Sequence, residues 1–181
     1  GWNMSKVINT SSMFRNTSFN QYICSWNVSK VTDMNNMFRE THVFNQNISN
    51  WDVSRVKNMA SMLLHCHQFN QPLNNWDVSN VTNVSYMFRL TEAFNQPLNN
   101  WDTSSMINIT AIFNRASAFN QDISVWDVSK ISSLKQVFHG ASAFNQDISS
   151  WNLSNVTNIK SAFREASAFN QNVSSWNVSN V

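Results

Sequence analysis

Residues 76–100 read WDVSNVTNVSYMFRLTEAFNQPLNN, and the same pattern returns on both sides of this stretch. Trp stands at 2, 26, 51, 76, 101, 126, 151 and 176. Phe stands at 19, 44, 69, 94, 119, 144 and 169, each time followed by Asn-Gln. Numbered from its Trp, the unit reads W-[ND]-x-S-x-V-x-[ND]-M-x-x-M-F-x-x-[AT]-x-x-F-N-Q-x-[IL]-x-x. A fixed period of about 25 residues marks a stacked repeat, in which each copy buries its apolar residues against its neighbours. The whole chain, 1–181, reads as one array. Its units are 2–25, 26–50, 51–75, 76–100, 101–125, 126–150 and 151–175, with a partial unit at 176–181. The first unit is one residue short between Phe14 and Phe19; the others keep register. Because the sequence starts and stops inside a repeat, the array is expected to continue in a longer chain.

Each unit divides into two halves. In the first, apolar residues occupy positions 6, 9, 12 and 13, with Ala, Thr or Cys at 16; Val81, Val84, Met87, Phe88 and Thr91 are one set. Spacings of three, three, one and three describe one face of a helix. Position 8 carries Asn9, Asp33, Asn58, Asn83, Asn108, Ser133 and Asn158, residues that cap helix N-termini. The pattern therefore predicts a short helix over positions 9–16. In the second half, Phe-Asn-Gln-x-Ile precedes the next Trp, and this segment predicts a parallel strand of three to five residues. The resulting fold class is an α/β solenoid with one short parallel β-strand and one short helix per repeat.

Stacking predicts columns of like residues. The aromatic columns are Trp26, Trp51, Trp76, Trp101, Trp126 and Trp151, and Phe44, Phe69, Phe94, Phe119, Phe144 and Phe169. A polar column contains Asn45, Asn70, Asn95, Asn120, Asn145 and Asn170. Gly and Pro number two each, so the chain turns without its usual punctuation. Asn side chains are the expected substitute, bonding corner backbone groups that no strand or helix satisfies.

Twelve basic and ten acidic residues give a net charge of +2, too little and too dispersed for a surface that tracks nucleic-acid phosphates. No run of 18 apolar residues occurs, so this segment does not insert directly into a membrane. No phosphate loop, nucleophile elbow or zinc-protease helix is present. The expectation is no catalytic residue, no cofactor and no enzyme.

Two groups of candidate metal ligands merit attention. His42 and His67 share position 17, so stacking brings them about 5 Å apart, and His65-Cys66-His67 adds further donor types. Cys66 sits at position 16, where the side chain is expected to enter the core. A ridge of solvated His is the alternative to a metal site. The second group is acidic: Asp102 and Asp127 share position 2 with Asp52 and Asp77, and a cation such as calcium would relieve their repulsion. Other copies place Asn there, which suits acceptance of a backbone hydrogen bond equally well. Among the many N-x-[ST] sequons, Asn27, Asn47, Asn80, Asn108 and Asn172 are candidate glycosylation sites in a secreted chain.

The stretches Trp76-Asp77-Val78-Ser79-Asn80-Val81-Thr82-Asn83 and Phe119-Asn120-Gln121-Asp122-Ile123-Ser124 resemble the 25-residue variant of the BspA-like branch of leucine-rich repeats. The likeness covers essentially the whole chain; Leu63-Leu64 and Ala162 depart from it mildly. It implies a leucine-rich-repeat-like fold on an extracellular or cell-surface protein that binds protein or glycan on another surface, in an adhesion role. The alternative is a structural filament or surface coat in which copies of the chain assemble end to end.

Overall fold

A computed structural model describes residues 2–181. The repeats stack as coils, one per unit, and a single apolar core runs through them from Phe14 to Ala162. Among the described residues no helix occurs, and the only β-structure is a series of single-residue parallel bridges between successive copies of position 8, such as Asn58 with Asn83 and Asn83 with Asn108. The predicted α/β architecture, helix and strand alike, is therefore corrected. Each coil is a chain of reverse turns.

The coil 76–100 shows how. The N–H groups of Val81, Met87, Thr91, Phe94 and Trp101 donate to the carbonyls of Val78, Val84, Phe88, Thr91 and Leu98, three residues earlier, at 2.8–3.2 Å. Every residue in these two sets is buried. The first and fourth residues of each turn point inward, and the two between them face outward or along the stack. A string of such turns spaces apolar residues by three, which is nearly the helical period. That coincidence produced the helix prediction.

An eight-residue helix would leave most of its N–H and C=O groups without intrahelical partners. The turns instead aim alternate groups along the stack. The N–H groups of Val84, Tyr86, Phe88 and Leu90 donate to the carbonyls of Asn108, Thr110, Ile112 and Asn114 in the next coil, at 2.8–3.0 Å. For this to work, positions 11 and 15 adopt left-handed backbone in all seven coils; Tyr86 has φ 60° and Leu90 φ 56°. Both are the third residue of their turn, the place where a type II turn requires positive φ. Gly140 is the one glycine in these places. For the others the conformation costs about 1–2 kcal/mol each, offset by inter-coil hydrogen bonds worth about 1 kcal/mol apiece.

Aromatic columns knit the core. Phe44, Phe69, Phe94, Phe119, Phe144 and Phe169 stack with ring centroids 5.8–6.1 Å apart. Within a coil, Phe113 lies face to face with Phe119 at 3.9 Å. At Leu63 the other Phe column is interrupted, yet Leu63 and Leu64 are both buried, so the departure in that unit is absorbed by the core.

Candidate functional site

A polar column runs along the stack through the Asn-Gln pairs. Asn120 Oδ1 accepts the backbone N–H of Asn145 at 2.9 Å and the side-chain amide of Gln146 at 2.9 Å. The same pair of bonds joins Asn20 to Asn45 and Gln46, Asn45 to Asn70 and Gln71, Asn70 to Asn95 and Gln96, Asn95 to Asn120 and Gln121, and Asn145 to Asn170 and Gln171. Beside it runs an indole column: Trp51, Trp76, Trp101, Trp126, Trp151 and Trp176 donate from Nε1 to the carbonyl three residues before the previous Trp of the column, that of Ile23, Ile48, Leu73, Leu98, Ile123 and Ile148, at 2.9–3.1 Å. These side chains hold coil to coil and are committed to that work.

Position 2 has a local task. Asp102 and Asp127 accept the N–H groups of Ser104 and Ser129 at 3.0 and 2.9 Å. The Ser104 and Ser129 hydroxyls, then their backbone N–H groups, hold these carboxyls below the usual range. Asn27 and Asn152 make the same bond to Ser29 and Ser154. Position 8 behaves alike: Asn83 Oδ1 accepts the Ser85 N–H at 3.0 Å, a cap-like bond with no helix behind it. Of the sequon residues, Asn27, Asn47, Asn80 and Asn172 are exposed and Asn108 is half-buried. Asn47, Asn108 and Asn172 are turn acceptors, from Ser49, Thr110 and Ser174, while the Asn80 amide donates to the Ser54 carbonyl.

The surface left over is uneven in chemistry. On one face, shallow polar grooves lie across neighbouring coils. One of about 450 Å³ is lined by Asp122, Ser124, Val125, Gln146, Asp147 and Ser149; another is lined by Asn74, Asn75, Asp77, Asn100 and Asp102.

On the ridge formed by positions 15 and 17, histidines gather. The His42 and His67 rings stack at 5.0 Å between centroids. His65 completes a triangle, 6.2 Å from His42 and 5.8 Å from His67. Desolvation pulls the His65 pKa down, and the neighbouring His67, Arg89 and His42 add to that effect against an opposing pull from Glu40. One ring nitrogen from each of the three lies within 4.8 Å of the others, the one such cluster of potential ligands among the described residues. Cys66 is excluded from it. Its side chain is buried, with Sγ 3.0 Å from the Phe38 carbonyl, and burial pushes its thiol pKa up.

Sequence reasoning paired His42 with His67 through the repeat register and mentioned His65 without assigning it a place. It missed Glu92, which occupies the same position as His42 and His67 one coil further on, so that the His67 Nδ1 lies 3.6 Å from Glu92 Oε1. The signal was available in the column His42, His67, Glu92. His65 was hidden by the helix assignment, because only left-handed backbone at position 15, φ 62° here, turns it to the same ridge.

A family model described as "Mycoplasma protein of unknown function, DUF285" matches residues 1–101 and again 87–181. No curated protein and no solved structure matches the chain.

Proposed function

The chain belongs to the DUF285 family of Mycoplasma proteins, and we propose that it is a non-enzymatic scaffold that binds protein or glycan at the outside of a cell. One observation carries this reading. The residues common to all copies are consumed by the core, the turns and the inter-coil columns, so the outward positions are the ones that change from coil to coil. At the groove over coils 101–150, the two copies share Asp122 with Asp147 and Ser124 with Ser149 and differ at Val125 against Ser150, while in the other coils the place of Asp122 is taken by Tyr22, Asn47, Pro72, Pro97 and Asn172. A row of shallow sites with clustered carboxylates, amides and hydroxyls suits hydrogen bonding to sugar hydroxyls or an extended peptide more than enclosure of a small substrate. The likeness to BspA-like surface-protein repeats supports the extracellular or cell-surface setting and the adhesion role.

The test is a glycan array and a panel of extracellular-matrix proteins, probed with the purified chain and with V125R and S150R. Both substitutions place bulk and charge in the groove, and Val125 is 64% exposed, so folding is expected to survive. Saturable binding that either variant abolishes at unchanged Tm supports the proposal. Absence of any binder, or a binder indifferent to both substitutions, overturns this face as the site. Sedimentation of the unliganded chain over a range of concentrations separates the alternative: growth into long polymers would favour the coat or filament role.

A further inference from the structure

We propose that His42, His65 and His67 form a three-imidazole site for a divalent transition metal ion of the zinc class, clamping the coils 26–50 and 51–75 together. Three of the chain's four histidines converge here. Imidazole nitrogens bind such ions at about 2.0–2.1 Å, which places three nitrogens around one ion roughly 3.4 Å apart. The observed separations, within 4.8 Å, exceed that value by at most about 1.4 Å, and binding would draw the rings together by side-chain rotation.

Outer contacts favour the same assignment. A metal-bound imidazole generally donates its second ring N–H to a carbonyl or carboxylate, which fixes the tautomer and aims the other nitrogen. His42 has this partner: its Nδ1 lies 2.9 Å from the His65 carbonyl oxygen. His67 has a carboxylate in reach: its buried Nδ1 has no hydrogen-bond partner, and Glu92 Oε1 stands 3.6 Å away, a few tenths of an ångström beyond a hydrogen bond. With the His42 bond in place and Glu92 closing on His67 Nδ1, both Nε2 lone pairs would be left for an ion.

The supporting backbone is fixed independently of any ion. The His65 N–H donates to the Arg89 carbonyl at 2.9 Å, and the His67 carbonyl accepts from Ala93 at 3.1 Å. Little ordering is left to oppose binding. Three protein ligands leave a coordination position for water or for a donor from a partner. Nickel, copper and cobalt ions share this preference for imidazole.

Titration calorimetry with zinc chloride on chelator-treated protein tests the site, with cobalt absorption reporting the donor set. The expected result is one ion per chain, a Tm that rises with zinc, and affinity falling at least tenfold in each of H42A, H65A and H67A. E92Q is expected to weaken binding about 10–100-fold while leaving the fold unchanged. H139A and C24S, which alter donors outside the cluster, are expected to leave binding as it is. Circular dichroism of each variant separates a lost ligand from a lost fold. No stoichiometric binding by the wild-type chain overturns the proposal, as does binding that survives H42A/H65A/H67A or vanishes with H139A.

Discussion

Each coil is joined to the next by two different chemistries. Across positions 7–18 the bonds run from backbone to backbone, as from Phe113 N–H to the Val137 carbonyl at 3.0 Å. Across positions 19–25 and 1–6 no backbone–backbone bond links neighbouring coils among the described residues. There the connection passes through side chains: the Asn-Gln pairs, the indole N–H groups, and smaller contributors such as Asn80 and Asn155, whose amides donate to the Ser54 and Ser129 carbonyls. The difference accounts for the sequence pattern. A backbone ladder accepts any residue, so positions 10, 11, 14 and 15 vary freely; a side-chain ladder requires one residue type, so Asn, Gln and Trp repeat.

A core truncation should not distinguish the two arcs, because they share one core. Phe113 belongs to the first and Phe119 to the second, and both are fully buried. F113A and F119A are each expected to lose about 3–5 kcal/mol in urea unfolding. F113L should lose much less, since Leu63 occupies the equivalent place in its own coil. A large difference between F113A and F119A would mean that the arcs unfold separately.

Polar substitutions should separate them. Asn120→Ala strips the partner from the half-buried Asn145 N–H and leaves the Gln146 amide only its bond to the Asn120 backbone carbonyl, and should cost about 2 kcal/mol. Gln136→Ala, in the backbone-bonded arc, leaves its own N–H bonded to the Lys160 carbonyl at 3.0 Å and should cost under about 0.5 kcal/mol. Equal losses would contradict the division.

The same division determines what could be read from the sequence. Repeat length, register, core positions and the aromatic and Asn columns were legible, because each is enforced by a side chain. The path of the first arc was not. Its turns depend on left-handed backbone at positions 11 and 15, and most copies show no preference for it: Ser61, Tyr86, Ala111, Gln136, His65, Leu90 and Arg115 all adopt it. Only Asn16, Asn36 and Gly140 there are residues that tolerate the conformation readily. With apolar residues three apart and an Asn or Asp ahead of them, the helix was the stronger reading of ambiguous signals. Part of the histidine cluster was lost with it, since His65 reaches the ridge through that backbone.

Glycine exchange measures the strain directly. Ser61, with φ 57°, makes its inter-coil bond through its N–H alone, so Ser61→Gly should stabilise the chain by about 0.5–1 kcal/mol. Gly140→Ala should do the reverse by about 1 kcal/mol. Its added Cβ would also meet Arg115 Cγ at 2.9 Å, near the root of that side chain, so Arg115 must shift as well and the loss is expected to be no smaller than the backbone strain. If both changes proved neutral, the left-handed turns would carry no strain, and any sequence could fill the first arc at no cost.

The smallest effect concerns acid, and it belongs to the arc that relies on side chains. Asp52, Asp102 and Asp127 accept from the hydroxyl and N–H of Ser54, Ser104 and Ser129, which lowers all three carboxyl pKa values in the fold. A carboxyl with a depressed folded pKa adds stability above its unfolded value of about 3.9, and that contribution disappears as pH falls through the folded value. The exposed setting screens these interactions and keeps the effect small. Asn27 and Asn152 hold the identical turn with no charge to titrate. D52N/D102N/D127N should therefore match the wild-type melting temperature near pH 7 and lose less of it between about pH 4 and pH 2. If the wild type and the triple variant shared one acid limb, the turns would owe their stability to the backbone after all, and the contrast between the arcs would narrow to the Asn-Gln and Trp columns.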